Sequence, residues 1–104
     1  MNYKSKRAKA TSIPQEVREK VLQRDNYRCV VCGKAGIPNA HYIRRSQGGL
    51  GIEQNVVTLC QVCHSAYDDG FCRQSYGKII HDYLEAKYYP NWNEKDLIYD
   101  KWKR

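Results

Sequence analysis

Apolar side chains recur at helical spacing in the segment that follows Ile13–Pro14. The apolar residues Val17, Val21 and Leu22 fall on one face, while charged and polar residues occupy the rest of each turn. Proline is compatible with the first turn of a helix, and Asp25–Asn26 is a pair that can end one. The pattern therefore predicts an amphipathic helix whose apolar face packs against a core.

The C-terminal third contains a second helical pattern, from Gln74 to Tyr88. Pro90 stops it, because proline lacks the backbone N–H that would continue the helix. A final short helix is predicted from Asn93 to Trp102. The apolar positions of the longer helix are Ile79, Ile80, Tyr83 and Leu84.

The middle of the chain has strand-like patterning instead. Ile37–Asn39 has the composition of a turn, and His41–Ile43 has that of a short strand. Ser46–Gly51, with three glycines, predicts a flexible loop, and the β-branched stretch Asn55–Leu59 predicts a second strand. Cys60–Tyr67 can then form a short helix. The order strand, loop, strand, helix is a ββα unit.

Two Cys-x-x-Cys pairs frame this unit. The sulfurs of Cys29, Cys32, Cys60 and Cys63 match the four thiolates that Zn²⁺ takes in a tetrahedral structural site. Such a site has no open position, so we expect a zinc ion that clamps the two ends of the hairpin. Redox chemistry is the alternative for a Cys-x-x-Cys pair, but its usual βαβ context is missing from the pattern. We expect Cys72 to be a partly buried free thiol.

Length and charge narrow the choice of partner. The 104 residues favour one domain, and a net charge of +7 with a pI near 9.2 suits a polyanion such as DNA or RNA. Residues 1–12 have the composition of a basic flexible tail, in which Lys4, Lys6 and Arg7 are expected to contact DNA phosphates.

No apolar run approaches the roughly 20 residues of a bilayer span, and the N-terminus lacks a secretory signal. We therefore expect a cytoplasmic, DNA-binding protein with no membrane partner.

The cysteines, histidines and asparagine stand in a definite order between Tyr27 and about Tyr67. That order resembles the HNH endonuclease family, and small phage and prophage members resemble it most in size and layout. The matching elements, in chain order, are Cys29-x-x-Cys32, Ala40–His41, Gly48–Gly49, Asn55–Cys60 and Cys63–His64.

The resemblance implies a ββα-metal fold and the hydrolysis of phosphodiester bonds to 5′-phosphate and 3′-hydroxyl ends. It implies three catalytic residues: His41, Asn55 and His64. By position, His41 would be the general base that takes a proton from the attacking water. His64 would bind a divalent cation such as Mg²⁺ or Mn²⁺, with His41 and Asn55 as further candidate ligands. Asn55 would also hold the loop and orient His41.

This chain differs from many family members at the residue before the expected base. They carry Asp or His there as a metal ligand, whereas this chain has Ala40, which offers no ligand atom. We therefore expect weak cation binding in the absence of DNA.

Arg44 and Arg45 follow the base, and strand alternation would direct at least one of them toward DNA. His81 is expected to be a surface histidine of the C-terminal helix.

We therefore expect an α+β protein, a small ββα-metal (HNH) domain with a four-cysteine structural zinc, flanked by an N-terminal helix and C-terminal helices. Residues 13–104 would form one domain, with the ββα core at about 27–67 and a helical extension at 73–104. The expected function is that of a metal-dependent DNA endonuclease or nickase, a monomer with a dimer as the alternative, that serves phage DNA packaging beside a terminase in a bacterial cell. The alternative is a non-catalytic, zinc-dependent DNA-binding module, which Ala40 favours.

Overall fold

The computed structural model describes residues 5–100, so the predicted DNA contact Lys4 and the predicted helix end Trp102 lie outside the described residues. Four α-helices and two strands occur within the described range, together with two short 3₁₀ turns at Arg45–Gln47 and Glu94–Leu97. The regular elements are α1 (Lys6–Thr11), α2 (Gln15–Arg24), β1 (Ile37–His41), β2 (Val56–Leu59), α3 (Gln61–Asp68) and α4 (Arg73–Tyr88).

The two strands form an antiparallel hairpin that α3 follows directly. Ile37 pairs with Leu59 and Ala40 with Val57, so β1 contains one residue more than β2 over this stretch, which is a β-bulge. The predicted turn at 37–39 is therefore wrong. The first strand begins earlier than its composition indicated and ends at His41, so Tyr42 and Ile43 lie outside it. The strand alternation that was expected to orient Arg44 and Arg45 therefore does not apply to them. Pro38 is tolerated because a bulged edge strand does not need every backbone N–H in the ladder.

One face of the hairpin packs on α3 and α4 to form the core. Ala40 and Leu59 lie on this face with no exposed surface, and Tyr67, Ile80 and Leu84 cover it from the helices. Because successive residues of a strand point to opposite faces, the burial of Ala40 directs the next residue, His41, away from the core. The predicted α+β class, with a small ββα unit and flanking helices, is confirmed.

A buried ion pair joins α2 to the rest of the core. The Arg24 guanidinium donates to both carboxylate oxygens of Asp25, at 2.7 and 3.0 Å, and to the carbonyl of Val56, at 2.8 Å. Asp25 also accepts the backbone N–H of Thr58 at 2.9 Å and the hydroxyl of Tyr83. These hydrogen bonds connect α2, β2 and α4 through one carboxylate.

The N-terminal segment is ordered where a flexible tail was expected. Residues 6–11 form α1, in which the Ser5 side chain caps the helix by accepting the N–H of Ala8 at 3.1 Å. A helix this short is not stable alone in water, so tertiary contacts must hold it. They include a hydrogen bond of 2.9 Å from the Gly51 N–H to the Ala10 carbonyl. The composition of the segment contained no sign of this partner.

The C-terminal segment also differs from its prediction. In the part of this segment that the structure describes, helical structure is limited to the 3₁₀ turn at Glu94–Leu97, because the backbone that follows pairs with the glycine-containing loop. The Leu50 N–H donates to the Leu97 carbonyl at 2.8 Å, and the Tyr99 N–H donates to the Gly48 carbonyl at 2.7 Å. These bonds hold the loop that was predicted to be flexible. No helix within residues 5–100 is long and apolar enough to cross a membrane.

Removing the Asp25 carboxylate should destabilise the fold strongly. Asp25→Ala leaves Arg24, whose side chain is only 11% exposed, without its buried counter-ion, and breaking such a pair costs about 3–5 kcal/mol. The free energy of unfolding in urea measures the loss. Asp82→Ala is the matched control, because the Asp82 carboxylate pairs with Lys78 at the surface and surface pairs contribute little. An Asp25 variant as stable as this control would contradict the structural role.

Candidate functional site

Two tight turns bring the four cysteines of the Cys-x-x-Cys pairs together at one end of the hairpin. In the first turn, the Gly33 N–H donates to the Cys29 carbonyl at 2.9 Å, and Gly33 adopts a φ of 83°, which favours glycine. In the second turn, Cys60 caps the N-terminus of α3, and Cys63 lies in its first turn. Cys29 and Cys63 are buried, whereas Cys32 is exposed, so the cluster lies at the edge of the core.

The sulfur geometry fits a tetrahedral metal ion. The four Sγ atoms lie within 4.8 Å of one another, and those of Cys32 and Cys60 are 3.6 Å apart. A Zn–S bond of about 2.3 Å places tetrahedral sulfurs roughly 3.8 Å apart. Backbone N–H groups also point at the sulfurs: the N–H of Cys32 lies 3.5 Å from the Sγ of Cys29, and the N–H of Cys63 lies 3.4 Å from the Sγ of Cys60. Such hydrogen bonds favour the thiolate form that binds metal. The four predicted ligands can therefore hold zinc, and Cys72 is a half-buried free thiol outside the cluster.

A cavity of about 820 Å³ opens on the other side of β1, between the strand end, α2 and α3. Two of the three predicted catalytic residues, His41 and His64, line it together with both predicted arginines. The full lining is Ser12, Ile13, Arg18, Asn39, His41, Arg44, Arg45, Ser46, His64 and Asp68.

His41 is held by the N-terminal segment of the chain. Its Nε2 atom lies 2.8 Å from the backbone carbonyl of Thr11. A carbonyl only accepts hydrogen bonds, so the neutral ring donates from Nε2 and keeps its lone pair on Nδ1. Burial lowers the pKa of His41 below its usual value; the nearby charge of Arg45 acts in the same direction, and the Thr11 bond opposes it in part. The ring is therefore neutral, and able to accept a proton, near neutral pH.

His64 has a carboxylate neighbour that the sequence analysis missed. Its Nε2 atom is 3.0 Å from Oδ2 of Asp68, one helical turn later on α3, and both side chains line the cavity. Imidazole and carboxylate are both ligands for divalent cations. The i, i+4 spacing was the available signal, because it places two residues on the same face of a helix.

Asn39 is a further cavity residue that the sequence did not single out. Its Oδ1 atom is buried and has no hydrogen-bond partner within residues 5–100. A buried amide oxygen normally has a partner, so this atom is available to a water molecule or a bound group. Ala40, in contrast, lies in the core and does not line the cavity, so the position of the family's usual Asp or His faces away from it here.

Asn55 is completely buried beneath the loop rather than in the cavity. Its Oδ1 accepts the N–H of Ile43 at 2.9 Å, and its Nδ2 donates to the carbonyls of Ile43 at 3.2 Å and Leu50 at 2.9 Å. The amide therefore joins the two ends of the loop, as expected for a residue that holds it. This placement does not support the metal contact that the resemblance implied for Asn55.

Three arginines surround the cavity. Arg44 donates to the Asp68 carbonyl at 3.0 Å, and Arg45 approaches the Ser12 hydroxyl at 3.4 Å. Arg18, on α2, lines the cavity as well, although helical periodicity alone placed it on a polar face without a partner. The cavity is therefore positively charged at its rim, which suits a phosphate group.

Other predicted residues lie away from the cavity lining. Lys6 and Arg7 are exposed on α1, and Arg7 donates to the Ser46 carbonyl at 3.0 Å. His81 lies on α4, where its ring contacts Asp82 at 3.0 Å and the edge of Trp92. None of Lys6, Arg7 and His81 is part of the cavity lining.

Comparisons with known proteins agree with this geometry. The family model described as HNH endonuclease matches residues 29–70, which contain the four cysteines, His41, Asn55 and His64. The chain is also 34% identical, over 58 residues, to "Anaredoxin" of Nostoc sp. (strain PCC 7120 / SAG 25.82 / UTEX 2576), a match that covers 54% of this chain and 76% of that protein. No solved structure matches. Residues 29–70 therefore form a domain of the HNH endonuclease family.

The four-cysteine cluster should be the source of metal in the purified protein. We expect about one zinc equivalent per chain, since four thiolates saturate a tetrahedral site. Cys63→Ser should lose both the metal and much of the thermal stability, because metal binding and folding are coupled. Cys72→Ser is the matched control and should keep both. Colorimetric zinc release and thermal unfolding measure the two quantities, and full zinc retention in Cys63→Ser would contradict the assignment.

Proposed function

We propose that this chain is a DNA endonuclease or nickase that depends on a divalent cation, with His41 as general base and a structural zinc in the four-cysteine cluster. One observation carries the proposal. His41 donates its Nε2 proton to the Thr11 carbonyl and lies in the same cavity as the His64–Asp68 pair. A base whose lone pair lies on Nδ1 thus shares a cavity with two candidate cation ligands and three arginines.

His41 would accept a proton from the attacking water at Nδ1. Proton transfer to a positioned base contributes about 10²–10⁴-fold to a rate. The arginines Arg18, Arg44 and Arg45 would bind phosphate oxygens and orient the scissile bond. Asn55 would act at a distance, because its hydrogen bonds fix the loop that carries Arg45 and Ser46.

The donor set in the cavity fits a divalent cation. His64 and Asp68 would hold it, with the unpartnered Oδ1 of Asn39 as a further ligand for the ion or for one of its waters. When bound, such a cation supplies stabilisation of the negative charge that develops on the leaving 3′ oxygen. Asp68 and Asn39 compensate for Ala40, which faces the core. The candidate cations are Mg²⁺, Mn²⁺ and similar divalent ions.

A non-catalytic DNA-binding module is the second candidate function. The observation that favours it is Ala40, since the position that often supplies a ligand in the family is apolar and buried here. The arginine-rimmed cavity would then bind a phosphate without cleaving it. This candidate predicts retarded DNA on a gel and no nicking in any divalent cation.

Three further parts of the proposal depend on the family resemblance and on the cysteine content. They are a cytoplasmic location, a monomeric state with a dimer as the alternative, and a role in phage DNA packaging beside a terminase. The net charge of +7 supports DNA as the partner.

The decisive experiment compares plasmid nicking by His41→Ala with nicking by the wild type. In Mg²⁺ or Mn²⁺ we expect the wild type to convert supercoiled DNA to the open-circular or linear form, and His41→Ala to be slower by about 10²–10⁴-fold. The matched control is His81→Ala, which removes a histidine outside the cavity and should cut at the wild-type rate. EDTA should abolish cleavage. A folded His41→Ala protein that cuts normally would exclude His41 as the base, and a wild type that binds DNA without cutting it would favour the second candidate.

The pH dependence of cleavage tests the protonation state of the base. Burial lowers the pKa of His41, so the neutral, active form should predominate down to pH values below the usual histidine value of about 6.5. The rate should therefore rise with pH, reach half of its maximum below pH 6.5, and be level near pH 7. A bound cation would shift the midpoint further in the same direction. A midpoint above pH 6.5, or a rate that falls as the pH rises from 5 to 8, in wild type and His81→Ala alike, would argue against His41.

A further inference from the structure

The end of α1 contacts the proposed base directly, although α1 lies outside the part of the chain that matches the family model. We propose that α1 is a positioning element of the nuclease site: the Thr11 carbonyl holds His41 in the Nε2–H tautomer and thereby leaves Nδ1 as the proton acceptor. This inference rests on the proposed function, but the contact itself can be tested without it. Thr11 acts through its backbone, and Arg7 acts by holding α1 in place.

The Thr11 carbonyl is free for this role because of its position in the helix. The last four carbonyls of an α-helix have no partner within the helix, so each one needs an outside donor. Thr11 ends α1 and is only 3% exposed, so its carbonyl has little access to water. The hydroxyl of Thr11 is already bonded to the Arg7 carbonyl at 3.0 Å. The His41 ring is thus the donor that satisfies a buried carbonyl.

A fixed tautomer matters for a base that uses one nitrogen. A neutral imidazole exchanges between Nδ1–H and Nε2–H forms, and which nitrogen is protonated depends on the hydrogen bond that the other nitrogen makes. The donor bond to Thr11 selects Nε2–H and limits rotation of the ring. Loss of this bond would populate a form of His41 whose Nδ1 carries the proton and cannot accept another.

Contacts with the loop hold α1 in register with His41. The Arg7 guanidinium donates to the Ser46 carbonyl at 3.0 Å, and the Gly51 N–H donates to the Ala10 carbonyl at 2.9 Å. The fit is close at Gly51, where an added Cβ would lie 1.9 Å from the Ser12 carbonyl oxygen. A methyl group there must displace the backbone that follows Thr11. The loop therefore determines where the Thr11 carbonyl lies.

Two variants disturb this arrangement in independent ways. Arg7→Ala removes the side-chain anchor of α1, and Gly51→Ala displaces its C-terminal end by steric contact. Lys9→Ala is the control for the first, because it removes one positive charge from an exposed position of the same helix. Gly77→Ala is the control for the second, because its Cβ would meet only ordinary van der Waals contact, 3.5 Å from Tyr67.

The primary readout is the tautomer of His41, measured by long-range ¹H–¹⁵N correlation of the zinc-loaded, ¹⁵N-labelled protein at a pH where the ring is neutral. The wild type and both controls should show a single Nε2–H form. Arg7→Ala and Gly51→Ala should show ring nitrogen shifts that are averaged between the two forms. In plasmid nicking, kcat should fall by about tenfold or more in both variants, as expected for a misplaced catalytic group.

The outcomes separate this inference from the proposed function. A single Nε2–H form in folded Arg7→Ala and Gly51→Ala would overturn the positioning role, and so would an altered tautomer with unchanged kcat. If Gly51→Ala does not fold, Arg7→Ala decides by the same two readouts. If the wild type cuts no DNA, a changed tautomer in the variants would still establish that α1 holds His41, and the nuclease assignment alone would fail.

Discussion

The convergence of four cysteine sulfurs at one end of the hairpin is the constraint on which this structure depends. The two Cys-x-x-Cys turns are separated by the whole hairpin, yet their sulfurs lie within 4.8 Å of one another. A domain this small has a modest apolar core, and a metal that binds only the folded chain adds its binding free energy to stability. The second turn also starts α3, so the residues that gather the sulfurs set the position of His64 and Asp68. The candidate nuclease cavity is in this sense a consequence of the four-cysteine cluster.

The surrounding fold brings positively charged, neutral and negatively charged side chains together in one cavity. Three arginines lie around a histidine whose pKa is lowered by burial, while a carboxylate lies beside the second histidine on α3. The two histidines therefore have different environments: His41 is neutral and bonded to a carbonyl, and His64 is adjacent to Asp68. Different environments for like groups are a common way for a small site to assign different tasks to them. Ala40 is buried in the core and is not part of the cavity lining, so its position cannot supply a ligand there.

The loop between the strands is ordered, although its sequence predicted a flexible segment. Its glycines indicated flexibility, but three hydrogen bonds from remote segments hold its backbone, through Ala10, Leu97 and Tyr99. Glycine permits these bonds because another backbone can approach closely where no Cβ intervenes. Such contacts join main-chain atoms that every residue possesses, so the pattern of side chains does not predict them. Backbone contacts of this kind also hold the end of α1 and the segment after Glu94–Leu97, so the sequence did not indicate their positions either.

The sequence by itself determined the four cysteines that can bind zinc and the helices α2, α3 and α4. Their signals are local: cysteine pairs with two residues between them, apolar residues at helical spacing, and a proline that ends a helix. The order of His41, Asn55 and His64 also identified the family. Only the tertiary structure decided that Asp68, Asn39 and Arg18 line the cavity, that Asn55 lies beneath the loop, and that β1 begins at Ile37. These facts depend on strand register, on a bulge and on packing between distant segments, which arise from the whole set of contacts rather than from any short stretch of the chain.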